Sequence, residues 1–304
     1  MESTTTWLVT IGILSAVIAF DLILAILRRN KETSMREAAI WTVIYVAAAI
    51  AFGYFMPNWT PSETAQKEFF AGWLTEYALS VDNIFVFVII LSRLQIEKTK
   101  QQLVLLLGII IALILRGIFI AAGTAIISRF SSAFFIFGAF LIYTAYQLLR
   151  EEGKEEEEQE DSRIVKFMRS KGASSFTIAL ITLGLTDLVF ALDSIPAIFG
   201  ITKDPYIVVT ANIFALMGLR QLYFLLQGLL KRLVFLSKGL SIILAFIGVK
   251  MFFEAFHGIG VHEIAGIEVP HVSIEFSLGV IVTTLLITAV ASLTATRKDG
   301  SEII

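Results

Sequence analysis

Glu76 and Asp82 stand six residues apart inside the stretch EYALSVDNIFVFVIIL (76–91), and Asp187 and Asp193 repeat that spacing in TDLVFALDSIP. The surroundings are apolar enough to lie in lipid, where a central charge costs roughly 2.5–3.5 kcal/mol on insertion scales. Acids kept at that cost point to a proton, a metal ion or a buried cation as partner. Two arginines, Arg116 and Arg220, lie in matching apolar runs and stay protonated in proteins. Four carboxylates against two guanidinium groups leave two negative charges, which a divalent cation neutralises and an anionic substrate makes worse.

The remaining donors within these runs are oxygens: Asn83 and Asn212, with Ser80, Ser194 and Thr210 beside them. There is no cysteine, and the three histidines fall outside the apolar runs. Oxygen-only coordination suits hard ions such as Mn²⁺, Mg²⁺ or Ca²⁺, and argues against Cu(I) and Zn²⁺. The expected metal ligands are therefore Glu76, Asp82, Asn83, Asp187, Asp193 and Asn212, with Arg116 and Arg220 balancing charge. In a straight helix, residues six apart differ by about 240° and about 9 Å. Convergence of both acids of a pair then calls for a helix break, expected near Asp193 to Pro196, where short polar side chains can rebond freed backbone. Three further features have plainer readings. Asp21 is either site periphery or a packing hydrogen bond; Lys250 and Glu254 are spaced for an i, i+4 ion pair; His257, His262 and His271, with Glu263 and Glu268, read as an exposed loop hairpin rather than a release-side metal site.

These residues need elements that hold them at depth. The chain has 304 residues and is 57% hydrophobic, a composition outside the range of soluble domains. Apolar runs at 7–27, 38–56, 69–91, 103–127, 133–149, 176–199, 206–230, 236–256 and 274–294 give nine candidate spans. The expectation is an all-α polytopic membrane helix bundle in the cell membrane. Of the 24 Lys and Arg, 18 lie in loops after spans 1, 3, 5 and 7 and in the C-terminal tail, which places the N-terminus outside and the C-terminus in the cytoplasm. The near-neutral net charge of −2 says nothing of nucleic-acid binding; its distribution reports orientation. Span 1 carries its charges after the apolar run and ends in no small-residue cleavage pattern, so it reads as an anchor. No Walker motif is present, which argues against ATP hydrolysis by this chain.

A repeat ties spans and acids together. TEYALSVDNI (75–84) aligns without gaps to TDLVFALDSI (186–195), and GIIIALILRGI (108–118) to NIFALMGLRQL (212–222), setting Arg116 opposite Arg220. Three-helix repeats reverse direction at each copy, giving two inverted repeats, an arrangement used by alternating-access transporters. One transmembrane domain over 1–304 then divides into helices 1–2 (1–68), a first repeat (69–149), an acidic cytoplasmic loop (150–175) with its run at 151–161 read as solvated, a second repeat (176–256), and the last helix with tail (274–304).

EYALSVDNIFVF, FGAFLIYTAYQ, TDLVFALDSIPAIFGITKDPYIVVTANIFALMGLRQLYFLL and IGVKMF resemble the TerC/Alx family of integral membrane proteins over nearly the whole chain. The resemblance implies a bacterial-type inner-membrane protein of a group named for tellurium resistance and associated with manganese export. It implies Mn²⁺ as transported substrate, with the family's acidic motifs falling on Glu76, Asp82, Asp187 and Asp193 and its Asn on Asn83. A proton is the expected counter-ion. Exporters of Ca²⁺ and a non-transporting scaffold in metal or tellurite stress are the alternatives. An intramembrane aspartyl protease is disfavoured because its Tyr-Asp and Gly-x-Gly-Asp pairs are replaced here by LTDL and SVDN, so no enzyme activity is expected.

The orientation is directly testable in this cysteine-free chain. Single cysteines replacing Ser3 and Ser301 are expected to react with an impermeant maleimide from opposite faces of sealed vesicles; same-face labelling would overturn the assignment.

Overall fold

The computed structural model describes residues 3–27, 34–130, 132–151, 163–226, 234–264 and 267–299. Among them nine helices are long and apolar enough to cross a membrane: α1 (Thr4–Leu27), α2 (Met35–Phe55), α3 (Ala65–Arg93), α4 (Lys98–Arg129), α5 (Ala133–Glu151), α7 (Ser175–Phe199), α8 (Pro205–Leu226), α9 (Leu236–Gly258) and α10 (Ile274–Asp299). A short helix, α6 (Arg163–Ser170), precedes α7. Each span matches an apolar run read from sequence, and several extend past it. The extensions at the starts of α3 and α4 are polar turns, with Gln66, Lys67 and Glu68 in one and Lys98, Lys100 and Gln101 in the other. Polar side chains suit the part of a helix that leaves the hydrocarbon. Starts are fixed locally: Ser34 accepts from the Glu37 N–H and Ser174 from the Thr177 N–H, both at 3.2 Å.

One expectation is corrected. α7 runs unbroken through Asp193 and Pro196 to Phe199. Pro196 sits in the final turn, so the bond to the Leu192 carbonyl lost with its missing N–H, and the ring's clash with that carbonyl, fall where only the last few residues of the helix follow, and its own carbonyl accepts from the Gly200 N–H at 2.9 Å. The stretch 150–175, read as an acidic cytoplasmic loop, also contains α6, after the acidic run read as solvated. Val165 is buried and Met168 packs on the apolar cluster built mainly from α3, α4, α7 and α8. The acidic residues 152–162 lie outside the described residues. After α9 the chain forms a hairpin, as expected, with β1 (Glu263–Ile264) antiparallel to β2 (Ile267–Glu268).

α3, α4, α7 and α8 make the centre. α3 packs on α8, α4 on α7, and the two pairs meet through α3 with α7 and α4 with α8. The span of α8 is 78% buried, against 17% for α1, so α1 lies at the rim. α5 and α9 pack on each other along a seam with glycine from both sides. A methyl added at Gly138 would stand 2.8 Å from the Gly248 carbonyl oxygen, and one at Gly248 would stand 2.9 Å from that of Gly138. Small residues let membrane helices approach closely where lipid gives no hydrophobic push.

Gly138→Ala is accordingly expected to cost about 1–3 kcal/mol through overpacking, read as a lower unfolding temperature in detergent. Gly279→Ala, in open space, is the control; equal melting of both variants would show the seam to be loose.

Candidate functional site

Arg116 lies in the middle of α4 and is 1% exposed. Its guanidinium grips Asp187 of α7 through a fork, Nε to Oδ2 at 2.8 Å and Nη2 to Oδ1 at 3.1 Å. Nη1 donates to Glu76 of α3, to Asn212 Oδ1 of α8 at 2.9 Å and to Ser194 Oγ of α7 at 3.3 Å. Glu76 and Asp187 are themselves 0% and 2% exposed. One guanidinium thereby joins all four central helices. A two-toothed Arg–carboxylate contact fixes geometry as well as charge.

The unbroken helices explain who meets whom. Residues seven apart lie about 20° apart around a helix, so Asp187 and Ser194 share a face and both reach Arg116. Asp193 is turned off that face and half-buried, within electrostatic range of Glu76 and Arg116. Its Oδ1, the Oε2 of Glu76 and the Oγ1 of Thr75 are buried with no hydrogen-bond partner among the described residues. Ser80 Oγ donates to Glu76 Oε1 at 3.4 Å. Asn83 is buried one helical turn beyond Ser80 and takes no part in the Arg116 contacts. Asp82 lies on α3, and its side chain is outside the described residues.

Two expected roles change. Arg220 does not share the centre. It is eight residues past Asn212, about 12 Å along α8, and there it donates to Asp21 of α1, with Tyr45 of α2 interacting with the same carboxylate. The Gln221 amide, oriented with its oxygen toward Arg220, accepts from Nε at 3.2 Å. Asp21 thus reads as the partner of Arg220, tying α1 to α8. Asn212 is committed to Arg116 through Oδ1 and to the Val208 carbonyl through Nδ2 at 3.3 Å, so in this conformation its amide oxygen serves the guanidinium. Among the described residues no three His, Asp or Glu side chains stand ready to hold a metal. Beside Asp187 is a void of about 10 Å³ lined by Phe87, Gly108 and Leu183, room for one water at most. Glu254 pairs directly with Lys203 at 2.7 Å and also attracts Lys250 electrostatically, so the expected i, i+4 attraction is present without a direct contact.

The family model described as "Integral membrane protein TerC family" matches residues 61–300, which include every residue of this centre. The chain belongs to the TerC family. An uncharacterized membrane protein of Mycobacterium tuberculosis is 41% identical to this TerC-family chain, covering 96% of it and 79% of the relative. The "Putative membrane-bound redox modulator Alx" of Photorhabdus laumondii is 33% identical over 95% of each chain. The Escherichia coli protein of the same description is 33% identical over 91% of this chain and 90% of its own. No solved structure matches. The sequence reading singled out every member of the Arg116 cluster but missed its wiring, because apolar context marks depth and says little of which carboxylate a given arginine will face.

Arg116→Met in this TerC-family chain would leave Glu76 and Asp187 buried without their cation, an expected loss of about 3–5 kcal/mol measured as thermal unfolding in detergent. Adding Glu76→Gln and Asp187→Asn should recover most of it; an unchanged melting temperature in the single variant would mean that no buried triad forms.

Proposed function

We propose that the chain is a secondary exporter that moves Mn²⁺ out of the cytoplasm by alternating access, with the acidic centre of α3, α4, α7 and α8 as the ion's way station. The observation that carries this reading is the surplus of buried oxygen donors around one guanidinium. Glu76 Oε2, Asp193 Oδ1 and Thr75 Oγ1 have no hydrogen-bond partner among the described residues. With Glu76, Asp187 and Asp193 ionised, Arg116 offsets one charge and two remain, the charge of the proposed cargo. Asp82 adds a further carboxylate from the same stretch of α3. The oxygen donors accept any hard divalent ion; the choice of Mn²⁺ rests on TerC-family membership, and Ca²⁺ is the runner-up.

Alternating access is supported by the way packing partners exchange between the two halves. α3 meets α8 as α7 meets α4, while α5 and α9 meet each other, the pattern that a two-fold axis relating 69–149 to 176–256 produces. Carboxylates that lose a metal in a closed, low-dielectric core favour the protonated form, so we read a proton as counter-ion. The redox role in the name of the Alx relatives would reach this chain through ions rather than thiols, since it has no cysteine.

In proteoliposomes, Asp193→Asn and Asp82→Asn are each expected to abolish Mn²⁺ flux with little change in melting temperature. Undiminished flux in both refutes the assigned centre, and flux of Ca²⁺ without Mn²⁺ moves the reading to the runner-up.

A further inference from the structure

The chain has three histidines, and the fold gathers all of them at the end of the bundle that the loop charges assign to the outside. His257 lies in the last turn of α9, His262 just before β1 and His271 just before α10. Gly260, at φ +81°, turns the chain back after α9, and the Val261 N–H closes on the Phe256 carbonyl at 2.9 Å. Glycine takes that left-handed backbone without a side-chain clash. The reversal sets His262 beside His257, and the Val269 N–H holds it there by donating to the His262 carbonyl at 2.9 Å.

The three rings touch. His257 and His262 have centroids 5.3 Å apart and Nδ1 atoms 3.1 Å apart. His271 stacks on His257, with 5.1 Å between centroids and 27° between planes. An Nδ1 separation of this size suits a hydrogen bond between neutral rings. It equally suits two lone pairs aimed at one ion, since nitrogens bound at roughly 2.0–2.1 Å to a tetrahedral metal stand about 3.3 Å apart. The surrounding charge favours the ion. Glu263 and Glu268 are cross-strand partners in the next register of the hairpin, like charges whose repulsion a nearby cation lowers. Glu254, one turn back along α9 and held by Lys203, acts electrostatically on His271.

We propose that His257 and His262 form an outward-facing site for a divalent cation of the Zn²⁺, Ni²⁺ or Cu²⁺ class, bound through both Nδ1 atoms with water in its remaining positions. His271 steadies the His257 ring by stacking on it. This is a two-nitrogen site, distinct from the three-ligand sets that are absent among the described residues. Imidazole nitrogens select these ions over the hard ions that suit the oxygens around Arg116, so the site does not depend on the exporter reading. Once bound, the ion ties the end of α9 to the hairpin.

The test uses the full chain, purified without a histidine tag, in phosphatidylcholine nanodiscs. Calorimetric titration with Zn²⁺ should show saturable binding of one ion per chain, with Mn²⁺ at least about tenfold weaker. Zn²⁺ should also move the imidazole NMR signals of His257 and His262, which stand out because only one other histidine is present. His257→Gln and His262→Gln are each expected to weaken Zn²⁺ about tenfold or more, while His271→Phe, which keeps a stacking ring, retains it. Melting temperatures measured without metal control for folding. Absence of saturable Zn²⁺ binding and of imidazole shifts in the wild-type chain overturns the proposal, as does binding that survives in the His257→Gln, His262→Gln double variant; the two rings then share only a hydrogen bond.

Discussion

The structure depends on a single buried cation shared between two buried anions. Arg116 could satisfy Asp187 alone with its fork, yet it also takes Glu76, Asn212 and Ser194. In a medium that offers no water, each of those acceptors would otherwise be stranded, so the guanidinium organises four helices around itself. Its single charge cannot neutralise both acids, and the deficit grows with Asp193 close by. A core built this way is held together by its cation and keeps more acid than base around it. That combination distinguishes it from an inert packing ion pair, in which charges cancel.

Two arginines that the sequence aligns are used unequally. The repeat alignment places Arg220 opposite Arg116, yet Arg220 reaches outward to Asp21 on α1 while Arg116 faces inward. α1 lies outside the aligned stretches and offers its carboxylate to Arg220. The peripheral helix therefore breaks the equivalence by supplying an acid to one arginine only.

Much of the fold was legible from residues. Long apolar runs bounded by polar turns have one low-energy solution in lipid, because an unbonded backbone amide is too costly there, and the spans follow. The membership of the acidic centre was legible for a related reason: charge at depth is expensive enough that its presence is informative. Pairing was not. Arg116 and Arg220 have the same local context, and only the rotation and height of α8 relative to α1 decide that the second finds Asp21. The expected break at Pro196 failed because a proline in a last turn disturbs little. α6 carried a signal in the three-residue spacing of Val165 and Met168, and the acidic run before it masked that signal.

The glycine contact between α5 and α9 sets how the molecule can flex. Where two helices touch backbone to backbone at Gly138 and Gly248, no layer of side chains lies between them to shear or repack. The pair behaves as one stiff strut that joins the halves of the chain. Any rocking of one half against the other must then be hinged about that strut, with the displacement taken up at the interfaces of α3, α4, α7 and α8, where longer side chains leave room to slide.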